Sequence, residues 1–507
     1  MELAFWDISA FVVFVVFVVS ISLYMSRKQR SSEDYFLAGR QLMWWLIGFS
    51  LIASNISTEH FVGQSGKGYD LGMAVASWEW MASVTLVIVA WYFVPKFLSS
   101  GIYTMPEYLE YRYNQTSRAI LALLTVFMAV MGGMAMVLYS GAIALHTLFD
   151  VGIVQGVWLI GLVAGGYTIY GGLKAVVWAD LFNGIALLLG GLLVLILGMQ
   201  AVGGIDEFVA NSDGKLHTIL PWDHPEVPWP AVFFGGLWIP NIVFWGLYQF
   251  IMQRTLGAKS LAEGQKGVLF AAFLKLLIPF IVIFPGIMAF ELFGDSIARP
   301  DMAYPMILRE ILPVGFRGLM FAALFGAIIS SLDSLFNSTS TILTMDIYKR
   351  HINKDASPKH LMRVGRLITF VVVISACLWT PVMKDVKSIF MTIQELSGLF
   401  SPGICAAFLF GLFWSKTPPI GANGALLMSV PVYGLLFLLI PEVAFLHRLW
   451  FTFLILSVYI IVVTLWRPLE KPVVMPKSTL NMHSPRSVKI GGIVILIATA
   501  LLYIIFW

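Results

Sequence analysis

Charge is what this sequence has least of: 12% of its 507 residues are Asp, Glu, Lys or Arg, 59% are apolar, and the net charge is +4. That charged share is about half the average for a soluble domain, too little to clothe the surfaces that several soluble domains would need. Only two cysteines are present, Cys377 and Cys405, both inside apolar runs, so no disulfide framework can be read. The basic residues lie in loops and form no patch interleaved with aromatics, which sets nucleic acid aside as a partner. His, Cys and carboxylate residues nowhere adopt metal-enzyme spacing, and no linker or low-complexity stretch sets off a soluble domain. An enzyme is therefore not expected, and residues 1–507 read as a single transmembrane domain.

What is there is a succession of apolar runs, each long enough to cross the roughly 30 Å hydrocarbon core as a helix. They do not alternate as barrel strands do, so the predicted fold is all-α and integral to the membrane. About fourteen spans are expected, near 7–25, 42–66, 71–97, 118–147, 152–170, 175–202, 231–253, 267–293, 317–347, 364–382, 387–414, 420–440, 444–466 and 488–507. The first run has Glu2 and Asp7 at its start and Arg27, Lys28 and Arg30 after its end, the reverse of a signal peptide, and reads as a retained span. Arg27, Lys28, Arg30 and Arg40 fall on the same side as Lys349, Arg350, Lys354, Lys359, Arg363 and Arg366, which marks that side as cytoplasmic. The acidic segment 203–230 is external, 467–487 is a connection, and an even span count places both termini outside a cell membrane.

The informative residues are those that do not belong in lipid. Ser54-Asn55-Ile56-Ser57-Thr58-Glu59-His60 interrupts the second span, and Gly235-Gly236 and Pro240-Asn241 lie within the seventh. Both helices are expected to break, since proline removes an amide donor and clashes with the preceding turn. Two broken helices five spans apart suggest inverted repeats meeting at a midplane site, the alternative being two ordinary kinked helices. Glu79, Asp180, Lys275 and Asp333 each cost about 2.5 to 3.5 kcal/mol in a span unless paired or hydrated, so together they imply an enclosed polar pathway. Ser330, Ser331, Ser334, Asn337 and Ser338 recur every three or four residues and give the ninth span one polar face. Such oxygens suit a hard cation, and small residues equally suit helix packing.

Several stretches occur in a specific order: Glu33 through Arg40, Ala53 to Ile56, Glu79-Trp80, Gly171-Gly172 through Trp178, Gln253-Arg254 and Asn337 through Tyr348. In these the chain resembles the sodium/solute symporter family over nearly its whole length, most nearly its sodium/glucose and sodium/galactose cotransporters. The resemblance implies a LeuT-type core with a first inverted repeat at 42–202 and a second at 231–414, one extra span before, and C-terminal extra helices at 420–507. It implies a substrate-binding set of Asn55, His60, Glu79, Asn241, Lys275 and Gln394, with gates at Gln64, Trp78, Phe244, Trp245 and Phe390. For Na+, it implies the carbonyls of Ala53, Ile56 and Ala327 and the hydroxyls of Ser330 and Ser331, with Asp180, Asp333 and Ser334 for a second cation. Phe244 stands where the galactose-transporting members have the inner-gate tyrosine, which leaves a ring to stack on a sugar but no hydroxyl to bond Asn55.

The expected function is sodium-coupled import of a neutral monosaccharide, glucose- or galactose-like, by alternating access across the lipid bilayer. The alternatives are a symporter for another small solute, such as inositol or an amino acid, and a non-transporting solute sensor on the same fold. Glu79 argues against an anionic solute, whose charge it would repel.

Overall fold

The computed structural model describes residues 4–507 apart from 58, 150, 213, 298, 386–388 and 472, and without the side chains of Glu59, 147–149, Asp295, Asp385 and 389–393. The described residues form helices and connections, with an isolated bridge between Leu42 and Ala258. Twelve helical segments among them are long and apolar enough to cross a membrane. The helices needed below are α1 (Phe5–Ser26), α2 (Trp44–Asn55), α3 (Ser77–Ile88), α4 (Gln115–Phe127), α5 (Ile153–Ala201), α6 (Trp238–Ile242) and α7 (Gln249–Leu256). They continue with α8 (Leu261–Phe293), α9 (Phe316–Ile342), α10 (Pro358–Trp379), α11 (Ile389–Phe413), α12 (Pro419–Leu439), α13 (Phe445–Trp466) and α14 (Arg486–Ile505).

Burial follows what each helix carries. The most apolar window of α1 is 11% buried, whereas that of the segment Phe316–Ile352, which begins with α9, is 94% buried. A polar face survives at membrane depth only when neighbours enclose it. With Ser330, Asp333, Ser334 and Asn337 on board, α9 accordingly takes the centre, packed against α5 and α1. Asp7 of α1 stitches the two together: its Oδ1 accepts from the amides of Gly315 at 2.7 Å and Gly318 at 3.0 Å, at the start of α9.

The 49 residues of α5 would span roughly 74 Å as one straight helix, more than twice the hydrocarbon thickness. Gly172 divides it with φ 51° and ψ −152°, a conformation L-residues avoid, and a Cβ there would lie 2.8 Å from the Tyr35 ring. The turn sits between the expected spans 152–170 and 175–202.

The interruption of the second span lies where the polar stretch predicts it. α2 stops at Asn55, Ile56 is extended (φ −76°, ψ 109°), and the chain rewinds with a wider, π-type pitch at Glu59–Gln64 before Ser65–Leu71. The last carbonyls of α2 are thereby left outside its own ladder. In the seventh span, residues 234–237 separate Trp229–Phe233 from α6, as Gly235-Gly236 predicts. A Cβ on Gly236 would collide with the Leu446 carbonyl. The break expected at Pro240-Asn241 is not there: both residues are helical in α6. Pro240 is the third residue of α6, and amides of a first turn have no intrahelical partner, so its missing N–H removes nothing. The chain leaves the helix instead at Tyr248 (φ −72°, ψ 129°), after a π-wound stretch Val243–Leu247.

The connection between α13 and α14 is pinned along its length. Leu469 N donates to Lys416 O (2.9 Å), Ser478 N to Ser99 O (2.6 Å), and Asn481 O accepts from Leu261 N (3.0 Å).

Candidate substrate and ion site

A cavity of about 520 Å³ opens beside the break in α2 and collects residues from α2, α3, α4, α6, α8, α9 and α11. All six expected substrate ligands line it: Asn55, His60, Glu79, Asn241, Lys275 and Gln394. Its polar floor is one network. Glu79 on α3 is ion-paired with Lys275 on α8, accepts from Gln64 Nε2 at 2.9 Å, and lies 3.7 Å from His60 Nε2. All four side chains are buried. Gln64, expected at a gate, is thus also part of the floor.

Two acceptors in the cavity remain open. Asn55 Oδ1 and Gln64 Oε1 have no hydrogen-bond partner among the described residues. For Asn55 this agrees with Phe244, whose ring has no hydroxyl to offer. Asn241 fixes its own orientation by donating Nδ2 to Leu237 O (3.1 Å) across one turn of backbone. A set combining carboxylate, ammonium, amide oxygens and amide nitrogens matches a ligand whose groups both donate and accept, as hydroxyls do.

Aromatic rings close the sides. Phe244 packs edge-on against Trp245 (centroids 5.1 Å apart) and Phe250 (5.4 Å), and the Lys275 ammonium lies 5.0 Å from the Trp245 ring centre. The Trp78 ring is parallel to that of Phe445 on α13, with 6.0 Å between centroids. The side chain of Phe390 lies outside the described residues.

The expected Na+ ligands fall where α2 ends against α9. Ala53, Ile56, Ala327, Ser330 and Ser331 are all buried, and Ser331 Oγ donates to Ser54 O at 3.2 Å, joining the two helices. Freed carbonyls at a helix end together with hydroxyls form the oxygen set that a hard monovalent cation takes. Among the described residues no group of three or more His, Cys, Asp or Glu could hold a metal ion; the set expected from the sequence consists of carbonyl and hydroxyl oxygens.

Asp180, Asp333 and Ser334 also converge, around a residue to which the sequence reading gives no role. Asp180 accepts from Ser330 Oγ (2.5 Å), Ser54 Oγ (3.3 Å) and Ser50 Oγ, and is ion-paired at 3.7 Å with the wholly buried Arg254 of α7. Arg254 also donates to Ser50 Oγ (2.7 Å), Ser54 Oγ (2.7 Å) and Ser334 Oγ. Asp333 accepts from Tyr167 and from Ser334 Oγ (3.2 Å). The signal for Arg254 was its place directly after Gln253 at the edge of a predicted span, where a cation reads as an ordinary interfacial residue.

Residues 35–430 match the profile described as the Sodium:solute symporter family. The chain is 41% identical to a "Sodium/glucose cotransporter" of Vibrio parahaemolyticus, over 100% of this chain and 99% of that one. It is 34% identical to a "Sodium/myo-inositol cotransporter 2" of Sus scrofa, over 84% of this chain and 68% of that one. In fold it is similar to a solved Na+-coupled sialic acid symporter, with a TM-score of 0.82, 22% identity, and coverage of 94% of this chain and 100% of that one.

Proposed function

The chain belongs to the sodium:solute symporter family, and from that premise we propose that it imports a neutral monosaccharide, glucose- or galactose-like, together with Na+ by alternating access. Sodium-coupled solute symport, multi-pass membrane embedding and the absence of an enzymatic role follow from the family. The sugar itself is our reading, and one observation carries it: Asn55, Glu79, Asn241, Lys275 and Gln394, scattered over the sequence, line one cavity with aromatic sides and open amide acceptors. A carboxylate already paired with one lysine leaves no net positive charge for an anionic solute.

Myo-inositol is the second reading, favoured by the similarity to inositol cotransporters and by a recognition set that reads hydroxyls without requiring a ring oxygen. Sodium-driven uptake of labelled glucose, galactose and myo-inositol into proteoliposomes separates the two. Uptake of none of them under an inward sodium gradient would refute the hydroxylated-ring reading.

In this reading the Na+ is cargo, held by the carbonyls of Ala53, Ile56 and Ala327 and the hydroxyls of Ser330 and Ser331. It ties the end of α2 to α9, and because Asn55 lies between Ala53 and Ile56, ion binding orders a substrate ligand. Membrane potential adds about 2.3 kcal/mol per charge per 100 mV to the sodium gradient. Asp333 with Ser334 is our place for a second cation, since Asp180 already has Arg254 as counter-charge. We read fourteen crossings, counting α2 with its continuation as one and α5 as two, arranged as inverted repeats at 42–202 and 231–414 with both termini outside the cell.

A further inference from the structure

The three C-terminal helices lie outside the proposed repeats, yet two of them reach the cavity through α11. Glu395, the neighbour of Gln394, is ion-paired with Arg448 of α13 (Oε1 to Nη2, 2.6 Å) and accepts from the Tyr433 hydroxyl of α12 (Oε2, 2.5 Å). Arg448 is fixed in turn by the carbonyls of Pro441 (3.0 Å) and Val443 (2.9 Å) and by the Phe437 ring, 5.1 Å from its guanidinium carbon. One turn further along α11, a Cβ on Gly398 would come within 2.7 Å of Tyr433 Cζ, so the ring seats directly on the helix backbone.

Pro402 gives this arrangement its direction. A proline inside a helix removes a ladder hydrogen bond and loosens the turn around it. Here the next amide, Gly403 N, finds a partner outside the helix, donating to Ser429 Oγ of α12 at 3.1 Å. The half of α11 before Pro402 therefore depends on its neighbours for orientation, and Gln394 sits in that half. Successive residues on a helix point about 100° apart, so fixing Glu395 toward α12 and α13 turns Gln394 into the cavity that it lines.

We infer that Glu395, Tyr433 and Arg448 are positioning residues for substrate recognition: they set the rotation of α11 before Pro402 and thereby the presentation of Gln394. The extra helices thus tune solute affinity without touching the solute. This rests on the substrate role proposed for Gln394, and the test separates the two.

The full-length protein in proteoliposomes is assayed for sodium-driven uptake of labelled glucose, galactose and myo-inositol. With Glu395→Gln the half-saturating concentration of the accepted solute rises about tenfold, the scale of one lost hydrogen bond to a buried group. Maximum rate and sodium half-saturation at saturating solute stay within about twofold, because α2 and α9 are untouched. Tyr433→Phe, which removes one hydroxyl and no charge, moves half-saturation the same way by about threefold and carries the test if Glu395→Gln does not fold. In a Gln394→Ala background the Glu395→Gln effect disappears. A solute half-saturation unchanged in both variants, or an equal effect with Gln394→Ala present, overturns the inference. So does a fall in maximum rate alone. A second arm needs no solute: Gln394→Cys, with Cys377→Ser and Cys405→Ser, is labelled by a membrane-impermeant thiol reagent. Adding Glu395→Gln slows labelling at least fivefold, and an unchanged rate overturns the inference. If the wild type takes up none of the three solutes, the transport reading fails while the labelling arm still decides this one.

Discussion

Arg254 and Asp180 form an ion pair at 3.7 Å in which both side chains are buried, one from the end of the broken seventh span and the other from just beyond the Gly172 turn. Each also binds Ser50 and Ser54 of α2, so the pair grips the helix that carries the expected Na+ carbonyls. Removing one partner of a buried pair leaves a bare charge and costs about 3 to 5 kcal/mol. Arg254→Met is therefore expected to lower thermal stability sharply, and Asp180→Asn combined with Arg254→Met to recover part of the loss. Thermal unfolding in detergent, followed by tryptophan fluorescence, measures both. A double variant no more stable than Arg254→Met would remove the pairing argument.

The floor of the cavity separates support from recognition. Glu79→Gln leaves Lys275 beside a neutral amide and destabilises, whereas Glu79→Gln with Lys275→Met removes both charges and is expected to regain stability. Uptake is expected to remain at least tenfold down in the double variant, because about 1 to 3 kcal/mol of solute hydrogen bonding is gone. Recovery of uptake along with stability would make the pair purely structural.

For the coupling ion, Ser331→Ala deletes a hydroxyl that reaches across from α9 to the end of α2. Sodium half-saturation is expected to rise about tenfold, with solute affinity regained at saturating sodium. Sodium dependence equal to wild type would move the ion elsewhere.

Phe244 contributes area and not a hydroxyl. Phe244→Tyr is expected to keep uptake and Phe244→Ala to weaken solute binding about tenfold, since stacked aromatic surface is what alanine loses. Equal half-saturation in the wild type and the alanine variant would take Phe244 out of the site.

Asp333 is tested through stoichiometry. With Asp180 balanced by Arg254 and Asp333 bonded only to Tyr167 and Ser334 hydroxyls among the described residues, Asp333 is where the proposed second cation is sought. The reversal potential of solute-coupled flux is expected to report one fewer charge per solute in Asp333→Ala than in wild type. Identical reversal potentials would leave Ser330 and Ser331 with the only coupling ion.

Much of the fold was legible because a membrane penalises polar residues one at a time. Ser54 to His60 announced the break in α2, and the Gly172 turn inside α5 falls between the expected spans 152–170 and 175–202. Pro240 misled because proline reads as a breaker wherever it falls, while its effect depends on whether it lies in a first turn, which only the backbone reveals. The substrate set came from resemblance, and the cavity gathers its six residues. What stayed hidden were pairings between distant helices: nothing local to Arg254 points to Asp180, and nothing local to Glu395 points to Arg448. Charge at the end of a span has the same composition whether it faces headgroups or a partner.

The bond from Asp7 to the amides of Gly315 and Gly318 has a bearing on how the molecule is assembled. The two ends of that contact are separated by 308 residues, so α1 leaves the ribosome long before its partner exists. Until α9 arrives, Asp7 can satisfy only the local amide of Ala4, at 3.2 Å, and its carboxylate stays where water can reach it. Closing so long a loop comes late in assembly. A helix made long before α9 is thus among the last to reach its final place, and it seals the centre of the bundle from its rim.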